Sequence, residues 1–190
     1  MMNIETPRLL LRWFQARDLA DMLEYRTDPE VLRYQTLDPF SREHAEEFID
    51  EHSRNSLDKI GAWMQVAIER KSDGKLIGDL AIHFQSEEPR IVEMGFNINR
   101  RLQGNGYATE AATALIGFLF QHRNVHKISC LVDVRNAASF RVLEKIGFKR
   151  EAHLRKSYFD AIDGDWFDEY IYGLLPEDIN APKPYSNKIK

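Results

Sequence analysis

Residues 91–110 constrain this chain more than any other stretch. Val92, Met94, Phe96 and Ile98 alternate with Glu93, Gly95 and Asn97, which is the two-residue period of a strand. The run Arg101-Leu102-Gln103-Gly104-Asn105-Gly106-Tyr107-Ala108-Thr109-Glu110 follows, and beyond it Ala111, Leu115, Phe118 and Leu119 recur at helical spacing. The pattern predicts strand, turn and helix in immediate succession. Lacking a Cβ, Gly104 and Gly106 let the turn present several backbone NH groups. A helix starting near Gly106 adds its unpaired first-turn donors and the positive end of its dipole. Such a corner suits a phosphate. Two glycines also serve an ordinary turn into a helix, so the choice between the two rests on the rest of the chain.

The chain has 190 residues, 43% of them hydrophobic and 29% charged, which is the balance of one soluble domain able to bury a substantial core. A formal charge of -4 argues against non-specific nucleic-acid binding, which requires an excess of Lys and Arg. With Cys130 as the one cysteine, an internal disulfide and a multi-cysteine metal site are both excluded. Glu5, Pro7 and Arg8 interrupt the place of a secretory h-region, and no apolar run reaches membrane-spanning length. The expectation is a cytoplasmic protein with no membrane partner.

Residues 9–14 read as a first strand, followed by a helix carrying Leu19, Met22, Leu23 and Arg26 that ends at Asp28-Pro29. Ser41 is placed to cap a second helix through about residue 55, with Ala45, Phe48, Ile49 and His52 along one side. Strands at 63–69 and 76–84 flank the turn Ser72-Asp73-Gly74-Lys75, and residues 91–98 form the next strand. After the helix that follows the glycine turn, residues 127–134 resume as strand. A short helix runs from the capping Asn136 to the stop at Gly147. Residues 154–159 and 166–175 close the fold as a hairpin around Asp163-Gly164. The expected organisation is one domain over residues 1–178 and a flexible tail over 179–190.

Arg101-x-x-Gly104-x-Gly106 after a strand, followed by Asn136-x-x-Ser139 and Glu144-Lys145-Ile146-Gly147-Phe148, resembles the GNAT acetyltransferases. Thr6-Pro7-Arg8-Leu9 and Asp165-Trp166-Phe167-Asp168 resemble the branch holding the ribosomal-protein N-terminal acetyltransferases. The resemblance implies an α/β (α+β mixed sheet) GNAT fold: a strongly twisted, mostly antiparallel sheet flanked by helices. Its central parallel strands, at 91–98 and 127–134, splay apart. It also implies acetyl-CoA in the resulting cleft. Backbone at Phe96, Asn97 and Ile98 would pair with the pantetheine arm like an added strand. The turn from Arg101 to Thr109 would lie against the cofactor, with NH groups of residues 102–108 on the pyrophosphate. Asn136 would meet the arm from the other side. Neither a Walker loop nor a three-glycine dinucleotide fingerprint is present.

The implied reaction is attack of an amine on a thioester, which needs a neutral amine and a proton for the departing sulfur. An α-amine has a pKa of roughly 8 and a lysine amine about 10.4, so a base matters more for lysine. Glu93-Met94-Gly95-Phe96 resembles the family's Glu-x-Gly-aromatic, which makes Glu93 the base candidate; a strand glutamate held in an ion pair is the alternative. Leu143 stands where many members carry an acidic tyrosine, so Ser139, one turn earlier, becomes the candidate near the sulfur. Tyr158 stands where some ribosomal-protein enzymes carry a second glutamate.

Trp13, Tyr34, Tyr158 and Asp168 are the expected contacts of the acceptor, in a region made acidic by Asp160, Asp163, Asp165 and Glu169. Phe40 joins the aromatics near the short helices. His122 and His126 lack a third ligand, so no metal is expected, and Cys130, alternating with Ile128 and Val132, reads as core. The acceptor is expected to be a protein N-terminus, with a polyamine or aminoglycoside as alternative. A non-catalytic acyl-CoA-binding module is the other reading, and the assembly a monomer or homodimer.

Overall fold

The computed structural model describes residues 2–35, 39–160 and 163–179. The expected tail lies outside them except for Ile179, which packs against the core. Eight strands form one sheet in the order β1-β2-β3-β4-β5-β6-β8-β7. They are β1 (Asn3–Glu5), β2 (Leu9–Arg12), β3 (Trp63–Arg70), β4 (Lys75–Phe84), β5 (Ile91–Ile98), β6 (Lys127–Asp133), β7 (Lys149–Asp160) and β8 (Asp165–Leu174). The helices are α1 (Leu19–Arg26), α2 (Pro29–Leu32), α3 (Arg42–Ser53), α4 (Tyr107–His122) and α5 (Ala137–Ile146). Every neighbouring pair of strands is antiparallel except β5 and β6.

Period-two alternation sorts the side chains of the central strands onto two covered faces. Met64, Val66, Ile68, Leu80, Ile82, Val92 and Met94 meet Ala111, Ala112, Leu115, Ile116 and Leu119 of α4 and Leu143 of α5 in the larger core. On the other face Ala67 joins Phe14, Met22, Tyr25, Phe40, Ala45 and Ile49, under α1 and α3. Local signals place the helix ends as expected. The side chain of Ser41 accepts from His44 N, that of Asn136 accepts from Ser139 N, and Gly147 stops α5 with φ +117°.

Two strands differ from the sequence expectation. The first strand does not run to residue 14: β2 stops at Arg12, and a further strand, β1, precedes it, a three-residue piece whose single buried side chain is Ile4. β7 begins at Lys149 rather than 154. Its pairing with β8 shifts register between Arg150 and Ala152 and again between Leu154 and Tyr158, and each bulge interrupts the alternation that marks a strand.

A buried polar network braces α1 and α2 to β4 and β5. Asp79, fully buried, accepts from Tyr25 Oη (2.6 Å) and Arg26 Nη2 (2.8 Å) on one oxygen and from Asn97 Nδ2 (2.9 Å) on the other. Gln35 donates to Asn97 Oδ1 and to the Val31 carbonyl. Burial, reinforced by the Asp79 charge, pushes the Tyr25 phenol well above its ordinary range and keeps it a donor.

Candidate active site

The single parallel pair of strands is short. β5 and β6 are in register at Ile91–Lys127, Val92–Ile128 and Glu93–Ser129, and pairing ends there. Beyond Glu93, β5 runs on to Ile98 beside β4 alone, and β6 runs on to Asp133 beside β8 alone. The result is a wedge with Glu93 at its apex and the backbone of residues 94–98 along one side. The Cys130 sulfur lies within hydrogen-bonding reach of the Met94 backbone and fills the apex from the β6 side. Cys130 is 4% exposed, and burial drives its thiol pKa far up, as befits core.

At the open end β5 enters the glycine turn. Asn99 folds it by accepting from Arg101 N through its side chain (3.0 Å) and from Leu102 N through its carbonyl (2.8 Å), and Gln103 N bonds the Arg100 carbonyl (3.2 Å). These bonds engage the amides of Arg101, Leu102 and Gln103 inside the turn, so the outward donors start at Gly104, two residues later than expected. Gln103 Nε2 satisfies the Ile98 carbonyl, and Asn105 Nδ2 those of Leu102 and Gln103. Most of the turn's carbonyls are thus occupied, while no backbone bond engages the amides of Gly104, Asn105 and Gly106. Gly104 and Gly106 both have φ +78°, a left-handed conformation that favours glycine. The first helical bond is Glu110 N to the Gly106 carbonyl, which leaves the amides of Tyr107, Ala108 and Thr109 as the unpaired donors of the α4 N-terminus.

A clamp that was not read from the sequence fixes this corner. Glu110 accepts from Thr6 Oγ1 (2.6 Å) and Arg8 N (3.0 Å) on one oxygen and from Arg8 Nε (2.6 Å) on the other. Arg8 also donates to the Asn105 carbonyl (3.0 Å) and lies over the Tyr107 ring. Burial pushes the Glu110 carboxyl up, but the Thr6 and Arg8 bonds outweigh it and hold the pKa below its ordinary value. Thr6-Pro7-Arg8 and Glu110 were each visible in the sequence; their pairing across the fold was not.

Glu93 is on the face of the sheet shared with Asp79 and Asn97, and 44% of its side chain is exposed. Gln85 Nε2 donates to one of its oxygens (3.3 Å). Ser139 is half-buried in the first turn of α5, its NH capped by Asn136 Oδ1 (3.1 Å). That cap occupies the side-chain oxygen of Asn136. Leu143 is fully buried in the core.

Beyond the apex, the residues expected near the acceptor separate into three places. Tyr34 and Tyr158 are brought together by Arg135, a residue not singled out from the sequence. Its guanidinium pairs with Asp133 (2.6 Å), Asp160 (3.0 Å) and Asp163 (2.7 Å), and takes the Tyr158 oxygen at 2.9 Å. It lies over the Phe167 ring and 5.5 Å from the centre of the Tyr34 ring. Tyr158 donates in turn to Asp133. Burial raises the Asp133 pKa, yet the Arg135 and Tyr158 bonds prevail and hold it low. Tyr158 moves the opposite way, through burial and the Asp133 charge. The sequence clue was an arginine two residues beyond Asp133, where a strand ends.

Asp168 does not join this cluster. Its oxygens bind His153 Nε2 (2.6 Å) and Lys156 N (2.9 Å), holding the bulge in which Lys156 takes φ +48°. Trp13 is farther away still. It follows β2, near the other edge of the sheet, and lines a groove of 210 Å³ with Met2, Asn55, Leu57 and Phe118. Phe40 is buried beside Arg26 and stacked on His44. Among the described residues, no three His, Cys, Asp or Glu side chains gather as a metal ion would require.

Known proteins are similar to this chain in sequence and fold. The chain is 31% identical to the uncharacterized N-acetyltransferase YnaD of Bacillus subtilis over 94% of its own length and all of that protein's. It is 32% identical to the [ribosomal protein uS5]-alanine N-acetyltransferase of Escherichia coli, over 45% of this chain and 43% of that one. The crystal structure of a GNAT-family acetyltransferase from Bacillus anthracis superposes with a TM-score of 0.82 at 29% identity, covering 93% of this chain and 99% of that one. Enzymes of this kind use acetyl-CoA as the acetyl donor. With the Acetyltransferase (GNAT) domain matching residues 8–149, the chain belongs to the GNAT family and is an N-acetyltransferase.

Proposed function

We propose that the enzyme acetylates the α-amino group of a protein N-terminus, with Glu93 accepting the amine's proton. The observation that carries this reading is the position of Glu93. It occupies the last paired residue before β5 and β6 part, with 44% of its side chain exposed. A carboxylate held by Gln85 yet open to solvent can take a proton from an entering ammonium and pass it on.

The wedge and turn fit acetyl-CoA. Backbone along residues 94–98 is paired on one side only, and the outward amides of residues 104–109 suit a pyrophosphate. When bound, acetyl-CoA supplies an activated acetyl thioester. Phe96, Asn97 and Ile98 would hold its arm through their backbone while the turn holds its phosphates. Ser139 Oγ would donate toward the departing sulfur, and Leu143, buried, leaves that task without a tyrosine.

For the acceptor, two exposed apolar side chains share the face of Glu93, and an acidic cluster lies at the end of β6. Leu131, on the neighbouring strand, is 58% exposed and Trp63, on the same face, 47%. Asp133, Asp160 and Asp163 gather around the guanidinium of Arg135. An N-terminus with a small apolar first side chain meets both conditions: its ammonium is drawn by the carboxylates and its side chain lies on the apolar floor. An α-amine also asks less of the base than a lysine does. The [ribosomal protein uS5]-alanine N-acetyltransferase of E. coli, named for an alanine acceptor, supports this choice.

The test is turnover across peptides with free Ala, Ser or Met termini, an N-blocked lysine peptide, spermidine and kanamycin. A free-terminus peptide should give the highest kcat/KM. Spermidine or kanamycin exceeding every peptide would assign the enzyme to small amines. Glu93→Gln should lower turnover by about a hundredfold or more without changing the Kd for CoA; unchanged turnover would remove Glu93 from the reaction.

A further inference from the structure

The register of the sheet sets a row of side chains through the apex. Trp63 of β3 stands opposite His83 of β4, His83 opposite Glu93 of β5, and Glu93 opposite Ser129 of β6. His83 stacks against the Trp63 ring, centroids 5.1 Å apart at 26°. Its Nδ1 is buried with no hydrogen-bond partner and lies 3.8 Å from Glu93 Oε2. The other Glu93 oxygen is the one bonded by Gln85. A buried ring nitrogen without a partner is a destabilising arrangement that most structures avoid. Here that nitrogen faces the carboxylate expected to receive a proton in every turnover.

We propose that His83 is a positioning and proton-relay residue for Glu93, with its Nδ1 taking up the proton that Glu93 has received from the acceptor amine. This rests on the reading of Glu93 as the base. An R-NH3+ group gives its proton to the Glu93 carboxylate and becomes R-NH2, and Glu93 becomes the neutral acid. The acid O–H then breaks as a bond forms to the lone pair of His83 Nδ1, restoring the carboxylate and leaving an imidazolium. The Nε2–H of that imidazolium passes to water, which leaves the Nδ1–H tautomer; exchange with water, one proton added at Nε2 and one lost from Nδ1, restores the neutral ring with Nδ1 open. Nothing beyond water is needed.

The approach of 3.8 Å must close by about 1 Å to make the bond, a change that loading an active site commonly brings. Trp63 fixes the ring plane and carries no charge. Gln85 fixes the far carboxylate oxygen, so the near one is left for the histidine. Glu93, from β5, is the one acidic group in ion-pair range of His83 among the described residues, and Ser129 is the side chain that β6 contributes to the row. The next charged pair on β6, Lys127 with Glu151, closes on itself at 2.6 Å.

The test compares His83→Phe, which keeps the stacking on Trp63, and His83→Gln, which keeps polarity, using the best amine of the panel above. Both should lower kcat about tenfold while the Kd for CoA, by calorimetry, stays at the wild-type value. The dependence of kcat on pH should change in both variants, whereas a packing role would leave it as in the wild type. In a Glu93→Gln background, His83→Phe should add less than about a twofold effect, since the two residues act in series. Wild-type kcat in His83→Phe with an impaired Glu93→Gln would overturn the relay and leave Glu93 as base. Wild-type kcat in Glu93→Gln would overturn both. Independent, multiplying effects in the double variant, or CoA affinity falling in step with kcat, would make His83 a packing residue and overturn the proposal.

Discussion

Substituting Gly106 by valine separates the two functions of the glycine turn, which are to bend the chain and to leave room for an anion. At φ +78° a β-branched residue is strained by about 1–2 kcal/mol. For a chain of this size that strain lowers Tm by about 2–8 °C. Steric conflict inside the protein adds little, because a Cβ at Gly106 would meet Arg8 Nη2 at 3.6 Å, an ordinary contact. Any larger loss must come from the ligand. If the amides around residue 106 bond a pyrophosphate, displacing one charge-assisted bond removes about 1.5–3 kcal/mol, and the Kd for CoA rises about ten- to hundredfold. Gly74→Val is the control: its φ is +70°, nothing lies within 4 Å of an added Cβ, and it sits in the β3–β4 hairpin. Calorimetric titration with CoA, beside thermal melts of both variants, makes the comparison. Similar drops in Tm with a weakened Kd in Gly106→Val alone are expected. A CoA Kd within about twofold of wild type in Gly106→Val would refute the phosphate cradle, because twofold is below the worth of one such bond.

Other perturbations have expected outcomes of comparable definition. Glu110→Gln should cost about 1–2 kcal/mol in urea unfolding at neutral pH. Because the folded carboxyl titrates below its ordinary value, the wild-type advantage is present above the glutamate range and is lost as pH falls through the folded pKa, so the two proteins should converge in acid. A gap that persists there would show that the clamp acts by packing rather than charge. Asp79→Ala, which strands the 1%-exposed Arg26, should cost about 3–5 kcal/mol, and the pair Asp79→Leu with Arg26→Met less than the single change; a milder single variant would contradict the brace. Cys130 should resist a thiol reagent at pH 8 until denaturant is added, since burial keeps the sulfur protonated and covered; rapid labelling of the native protein would contradict the apex packing.

The path from β5 through the turn into α4 was legible because three unlike signals follow one another there: period two, left-handed glycines, then helical spacing. The same holds for α5, where Asn136 and Gly147 are chemical end-markers. The strand β1 was hidden because three residues cannot display a period, and the first half of β7 because its bulges erase one. Arg135 escaped attention for a different reason. Its partners arrive from β6, β7, the hairpin and the segment after α2, and local sequence carries no trace of an ion pair assembled by topology. The surroundings of Trp13 and Asp168 were not legible either, since an aromatic or a carboxylate looks equally suited to a pocket, a groove rim or a bulge until the register is known. Glu93 was named from the resemblance of Glu93-Met94-Gly95-Phe96 to the family's pattern, and the register then sets it at the apex of the wedge.

The parting of β5 from β6 also bears on the protein's life without its ligand. A sheet that opens in the middle carries an internal edge, a row of strand backbone lacking neighbours on one side, of the kind that recruits stray chains into aggregates. Here the unpaired backbone comprises residues 94–98 of β5 and 130–133 of β6, with the Cys130 side chain at the closed end and the glycine turn at the other. A guest that lies along this edge supplies the missing neighbour, and under the proposed placement the donor substrate would be a temporary strand. Shelf life and resistance to aggregation should therefore follow the ratio of free CoA to its Kd, as mass action requires of anything that binds only the folded chain.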